Sequence, residues 1–158
     1  MSRKLAREIA FKVVFSSNFQ TENEDSKNLI EDLVNDKYLL EEKEAVENEN
    51  VKEAIQDITS EDKKYIEEVI AGISDKITEL DEKIKIHLKG WTMDRIGKTD
   101  LAILRLAIYE ILYRDDIPYK VSINEAVELA KLFCDETSPA FINGVLAGVV
   151  NSLPKDEE

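Results

Sequence analysis

Arg3, Lys4 and Arg7 open the chain and stand with Lys12 against Glu8, the only acid within residues 1–20. Guanidinium and ammonium groups are suited to phosphates, and Phe11 and Phe15 follow on the same arc, where aromatic rings can stack unpaired bases. The same spacing also fits a plainer use, with both rings packed on a neighbouring helix and the cations on ordinary surface. Nothing else in the chain suggests bond-making chemistry. The one cysteine, Cys134, excludes an internal disulfide and a multi-cysteine zinc site, and it has no evident histidine partner. The one histidine, His87, sits in Ile84-Lys85-Ile86-His87-Leu88 with no orienting motif, as expected of a solvated or capping residue. No glycine-rich loop stands between a strand and a helix to cradle phosphates. The carboxylates read as solvated helix faces or caps. A non-catalytic binding protein without metal or cofactor is therefore expected.

At 158 residues with 43% hydrophobic content and three prolines, the chain is expected to form a single domain over 1–158, regular and compact. No apolar run is long enough to span a bilayer. The basic N-terminus lacks a signal-peptide hydrophobic core, so a cytoplasmic location is expected. The net charge of −13 opposes long-range steering of nucleic acid, yet the excess acid falls mostly in residues 21–62. A short basic patch on an acidic body implies weak RNA affinity alone and help from a basic partner.

The elements that would hold these residues are all helical. Residues 2–18 place Ala6, Ile9, Ala10 and Val13 on one inward stripe. Residues 28–40 can form a short helix through Leu29, Ile30, Leu33, Tyr38 and Leu39. Residues 41–50 are almost wholly charged or amide, so an acidic connector is expected over about 41–58. Ser60 reads as an N-cap ahead of Glu61 and Asp62, which suit the positive helix end. Tyr65, Ile66, Val69, Ile70, Ile73, Ile77, Leu80 and Ile84 then keep the helical period to about Gly90, with Gly72 the expected place for a bend. Thr92 can cap a single turn after Trp91, a candidate core anchor.

Residues 101–112 are apolar nearly all round, interrupted only by Arg105 and Glu110, so this helix should be buried among neighbours. Asp115-Asp116-Ile117-Pro118 should end it. Ser122-Ile123-Asn124-Glu125 reads as a capping box opening the next helix, with Ile123, Ala126, Val127, Ala130 and Phe133 inward. Ser138-Pro139 should open the last helix. There Phe141, Ile142, Val145, Leu146, Val149 and Val150 share one side, while Ala140, Gly144 and Gly148 make a stripe that admits another helix closely.

The C-terminal third also carries a resemblance. Trp91, Arg95-Ile96, the run from Leu104 to Glu110, the run from Ile117 to Lys131, and Phe141-Ile142-Asn143-Gly144-Val145-Leu146 resemble, collinearly, the signature of the NusB family of bacterial transcription antitermination factors. The resemblance implies an all-α fold of about seven helices in two packed helical subdomains. It implies binding of boxA RNA on nascent rRNA transcripts with the ribosomal protein NusE, in a complex with NusA, NusG and RNA polymerase. Arg3, Lys4 and Arg7 then match the basic RNA-binding helix, which is thinner here because Leu5 interrupts it. Asp94, Thr137 and Phe141 match RNA-facing positions. Phe15, Asp100 and Arg105 match the partner-binding surface. A carboxylate at Asp100 is also stabilised simply by standing in a first helical turn, and Phe141 fits a core as well as a base-stacking role. Ala140 stands where relatives carry a lysine.

Two other functions fit the same residues. Some RNA cytosine methyltransferases begin with a NusB-like domain, although no methyltransferase segment follows here. A helical protein-interaction module that has lost RNA binding is the stronger rival, since some family members form homodimers and the basic run is thin.

Overall fold

The computed structural model describes residues 2–16, 60–90 and 92–154, and all of the regular structure among them is helical. The elements are α1 (Ser2–Ser16), α2 (Ser60–Ile86), a 3-10 turn (Met93–Arg95), α3 (Lys98–Tyr113), α4 (Tyr119–Phe133) and α5 (Ser138–Ser152). Five α-helices among the described residues compare with about seven expected. The helix expected over 28–40, the acidic connector over about 41–58 and the Trp91 anchor all lie outside the described residues. The chain divides into two compact units, Met1–Asp75 and Lys76–Glu158.

In the first unit α1 buries the expected stripe of Ala6, Ile9, Ala10 and Val13, and Phe11 and Val14 with it. The early turns of α2 bury Tyr65, Ile66, Val69, Ile70 and Ile73. These positions recur at three and four, so each helix presents one apolar face and the remaining arc stays wet.

In the second unit α2 continues through Leu80 and Ile84, both fully buried. Its backbone departs from helical geometry at Lys76 (φ −108°, ψ 16°), whereas Gly72, the expected bend, lies in unbroken helix. A glycine permits a bend but does not compel one. The departure falls where Tyr113 of α3 donates its hydroxyl to Glu79 and offers its ring to the Lys76 ammonium, 5.7 Å from the centroid. The helix also stops at Ile86, short of Gly90. His87 N–H donates to the Ile84 carbonyl at 3.0 Å, a tighter bond that closes the final turn. Lys89 (φ 51°) and Gly90 (φ 93°) then reverse the chain, and the second of these angles requires glycine.

Helices α3, α4 and α5 pack on one another. As expected, α3 is the buried one: Ala102, Ile103, Leu104, Leu106, Ala107, Ile108 and Ile111 are all inside, and Glu110 is inside with them. The turn after α3 forms where expected, with the Ile117 N–H donating to the Arg114 carbonyl at 3.1 Å.

The expected capping box at Ser122 is not used as a cap. The Pro118 carbonyl accepts from the Val121 and Ser122 N–H groups, so α4 begins three residues earlier, at Tyr119. Ser122 therefore lies inside the helix, and its hydroxyl donates to Glu110 Oε1 at 2.8 Å. This buried polar pair turns the inward face of α4 to Ser122, Ala126, Leu129 and Ala130, leaving Phe133 40% exposed.

The small-residue stripe on α5 also departs from expectation. Ala140 and Gly144 are exposed, and a Cβ on Gly144 would meet nothing. A Cβ on Gly148 would lie 2.7 Å from His87 Nδ1, so an imidazole and not a helix makes the close approach. Gly144→Ala is expected to stabilise by about 0.5–1 kcal/mol through lower unfolded-chain entropy. Gly148→Ala should instead cost about 1–3 kcal/mol as the ring is displaced. Paired denaturant titrations check both signs.

Candidate nucleic-acid and partner surfaces

In the first unit, the start of α1 carries the basic cluster. Lys4 is exposed. The Arg3 side chain is 29% exposed; its Nε donates to Asp62 Oδ1 at 2.9 Å, and its guanidinium carbon lies 4.5 Å from the Tyr65 ring centroid. Arg7, expected to serve as a phosphate ligand, is only 5% exposed, with its guanidinium 5.8 Å from the same ring. Positions 3 and 7 share one side of α1, so the difference lies along the helix: Arg3 stands in the first turn and Arg7 one turn further in, between the buried Ala6 and Ala10. The two phenylalanines divide as well. Phe11 is core, while Phe15 is 46% exposed with its ring tilted against Phe11 at 6.3 Å. Only Phe15 of the pair can offer its face to a ligand.

In the second unit a cavity of about 650 Å³ opens between the 3-10 turn, the start of α3, the end of α4 and the start of α5. It brings together three residues singled out from sequence, Asp100, Thr137 and Phe141. Phe141 is half-buried, so it lines this wall without joining the fully buried set of Ile142, Val145, Leu146 and Val149. Arg95, Phe133, Cys134 and Asp135 also line the cavity, and sequence reasoning had not marked them as site residues. Asp135 had a readable signal: an aspartate two residues before a threonine at a helix start favours an Asx-type turn.

That turn organises the cavity floor. Asp135 Oδ1 accepts from the Thr137 N–H at 3.0 Å, the Thr137 hydroxyl at 2.7 Å and the Ser138 hydroxyl at 3.3 Å. The Thr137 hydroxyl, followed by its N–H, holds the Asp135 carboxyl below its ordinary range, so it stays ionised into mild acid. Thr137, not Ser138, is the N-cap of α5, and it makes no side-chain capping bond of its own. The Ser138 hydroxyl is within 3.0 Å of Asp100 Oδ2, to which it can also donate, linking the first turns of α3 and α5. Asp100 is thus bound within the chain as well as lining the opening.

Burial, and next the Asp100 carboxylate, push the Cys134 thiol up to about 12. The neutral thiol is the form favoured at neutral pH, which removes Cys134 as a nucleophile. Alkylation at pH 8 should run roughly a hundredfold or more below a free cysteine, and Asp100→Asn should speed it. A time course with iodoacetamide checks both; a rate equal to free cysteine would contradict this account. The stability from the raised thiol value is present below 9.0 and is lost as pH rises toward 12.

The remaining candidates lie apart from the cavity lining. Asp94 is exposed on the 3-10 turn. Arg105 is engaged within its own unit: Nε and Nη2 grip the two Asp81 oxygens, each at 2.9 Å, tying α3 to α2. Such a bidentate fork holds the guanidinium in a fixed orientation. Among the described residues no group of three or more histidine, cysteine or acidic side chains is placed to hold a metal, and no helix is long and apolar enough to cross a membrane.

Comparison with known proteins agrees with the resemblance read from the sequence. The NusB family model matches residues 4–151. Transcription antitermination protein NusB of Ruminiclostridium cellulolyticum is 46% identical over 158 residues, covering 99% of this chain and 94% of that protein. NusB of T. maritima shares the fold with a TM-score of 0.69 at 27% identity, covering 96% of this chain and 92% of that one. A crystal structure of the antitermination factors NusB and NusE in complex with double-stranded RNA contains a chain of the same fold, with a TM-score of 0.67 at 24% identity over 96% of this chain and 97% of that one.

Proposed function

The chain belongs to the NusB family, and from that premise we propose that it is a transcription antitermination factor binding boxA RNA of nascent rRNA transcripts together with the ribosomal protein NusE. The observation that carries this reading is the family match over residues 4–151, which takes in the cavity residues and the basic helix from Lys4 onward. In this proposal Arg3 and Lys4 hold backbone phosphates, and Arg7 supports the helix that presents them. Thr137 and Phe141 meet the RNA at the cavity, where a half-buried ring can stack a base that a duplex would hide. Asp94 flanks that contact. Phe15, Asp100 and Arg105 belong to the NusE side, with Arg105 acting through its grip on Asp81. The assembly is completed by NusA, NusG and RNA polymerase in the cytoplasm, with residues 1–158 acting as one functional domain. The family is one of transcription factors, so no reaction is assigned.

The net charge of −13 and the burial of Arg7 favour one rival, a helical interaction module without RNA binding, homodimeric in some relatives. Titration with boxA RNA and a scrambled control, with and without NusE at two salt concentrations, separates the two. Selective binding that strengthens with NusE and weakens with salt is expected. Equal, negligible binding to both RNAs under every condition would leave the interaction module as the better account.

A further inference from the structure

We propose that Asp62 and Tyr65, on α2, are positioning residues for the nucleic-acid surface of α1: together they clamp the Arg3 guanidinium in the orientation that receives a phosphate. This inference rests on the RNA-binding reading above and adds two residues that the basic-helix motif does not contain.

Asp62 is 4% exposed and stands in the first turn of α2, where the positive helix end favours its charge. From there it accepts the Arg3 Nε–H at 2.9 Å. The guanidinium carbon of Arg3 lies over the Tyr65 ring, 4.5 Å from its centroid, and that ring is only 1% exposed. The cation is thereby held at Nε by a carboxylate and at its carbon by an aromatic face. Among the described residues the two terminal amino groups of Arg3 make no hydrogen bond, and the side chain is 29% exposed. A guanidinium presents a fork of donors that matches phosphate oxygens in pairs. Fixing it before RNA arrives removes the cost of ordering a long side chain on binding. The interior position of Asp62 argues for a clamp and against a decoy. An RNA phosphate has no route to the site of a carboxylate 4% exposed, so the two can share Arg3 without competing for the same edge.

The test is a double-mutant cycle on the full chain, read by titration with a boxA RNA oligonucleotide and a scrambled single strand of the same length. Asp62→Asn keeps the shape and an acceptor oxygen but removes the charge that holds Nε. It is expected to weaken RNA binding about two- to tenfold, the size of one hydrogen bond's net contribution. The salt slope should fall by up to about 0.7, the value of one phosphate contact on a single strand. In an Arg3→Ala background, Asp62→Asn should change neither quantity. An unchanged or raised affinity for Asp62→Asn would overturn the proposal, as would an equal loss in both backgrounds, which would mean that Asp62 acts through the fold. Absence of any preference for boxA is a failure of the functional reading instead. The clamp is then judged without RNA by the Arg3 Nε–H resonance: slow exchange in the unaltered chain that is lost in Asp62→Asn supports it, and fast exchange in both overturns it.

Discussion

Replacing Glu110 with alanine is expected to lower stability by about 3 kcal/mol, combining a core truncation with a stranded hydroxyl. For a chain of this size that corresponds to a melting midpoint lower by roughly 6–12 °C. Glu110 is 1% exposed in the middle of α3, and it meets the buried Ser122 hydroxyl of α4 at 2.8 Å. Water cannot reach the Ser122 hydroxyl at that depth, so losing Glu110 leaves that hydroxyl with its desolvation cost and no bond. Ser122→Ala should cost less, about 1–3 kcal/mol, because the smaller group leaves the smaller void. The double replacement should cost less than the two single losses added together, since both remove the same bond. Thermal unfolding of the three variants measures this, and strict additivity would show that the pair does not act as a unit.

The largest effect on binding is expected from Arg3→Ala combined with Lys4→Ala. Loss of two charge-assisted phosphate contacts should weaken RNA binding by about ten- to a hundredfold or more. The slope of log affinity against log salt should fall by about 1.4, two contacts on a single strand. Arg7→Ala should behave differently although its residue type is the same. With Arg7 only 5% exposed and beside the Tyr65 ring, its replacement removes packed side chain and should appear first as a loss of about 1–3 kcal/mol of stability. The salt slope should barely move. An Arg7→Ala variant of normal stability with the full loss in slope would place its guanidinium on the RNA and not in the interior.

The helices themselves were legible in the chain because they rest on local rules. The period of Tyr65, Ile66, Val69, Ile70 and Ile73, the apolar run from Leu101 to Leu112 and the turn before Pro118 each depend on residues a few positions apart. The basic character of α1 and the family signature at the C-terminus were legible for the same reason, since both are strings of residue types in order. What the sequence could not supply was which member of a repeated type faces which neighbour. Arg3 and Arg7 differ in fate because one more helical turn carries the second toward the buried alanines. Ser122 reads as a cap and is instead a partner for Glu110, because Pro118 starts the helix earlier and a carboxylate from α3 waits across the interface. Gly72 and Gly148 read as a hinge and a helix-packing site, yet α2 departs from helical geometry at Lys76 beside Tyr113, and Gly148 makes room for the His87 ring. Asp100, Thr137 and Phe141 lie up to 41 positions apart, and only the packing of α3, α4 and α5 brings them around one cavity. Local pattern determined the elements; contacts between residues distant in sequence decided their faces, because burial and hydrogen-bond partners are properties of the assembled chain.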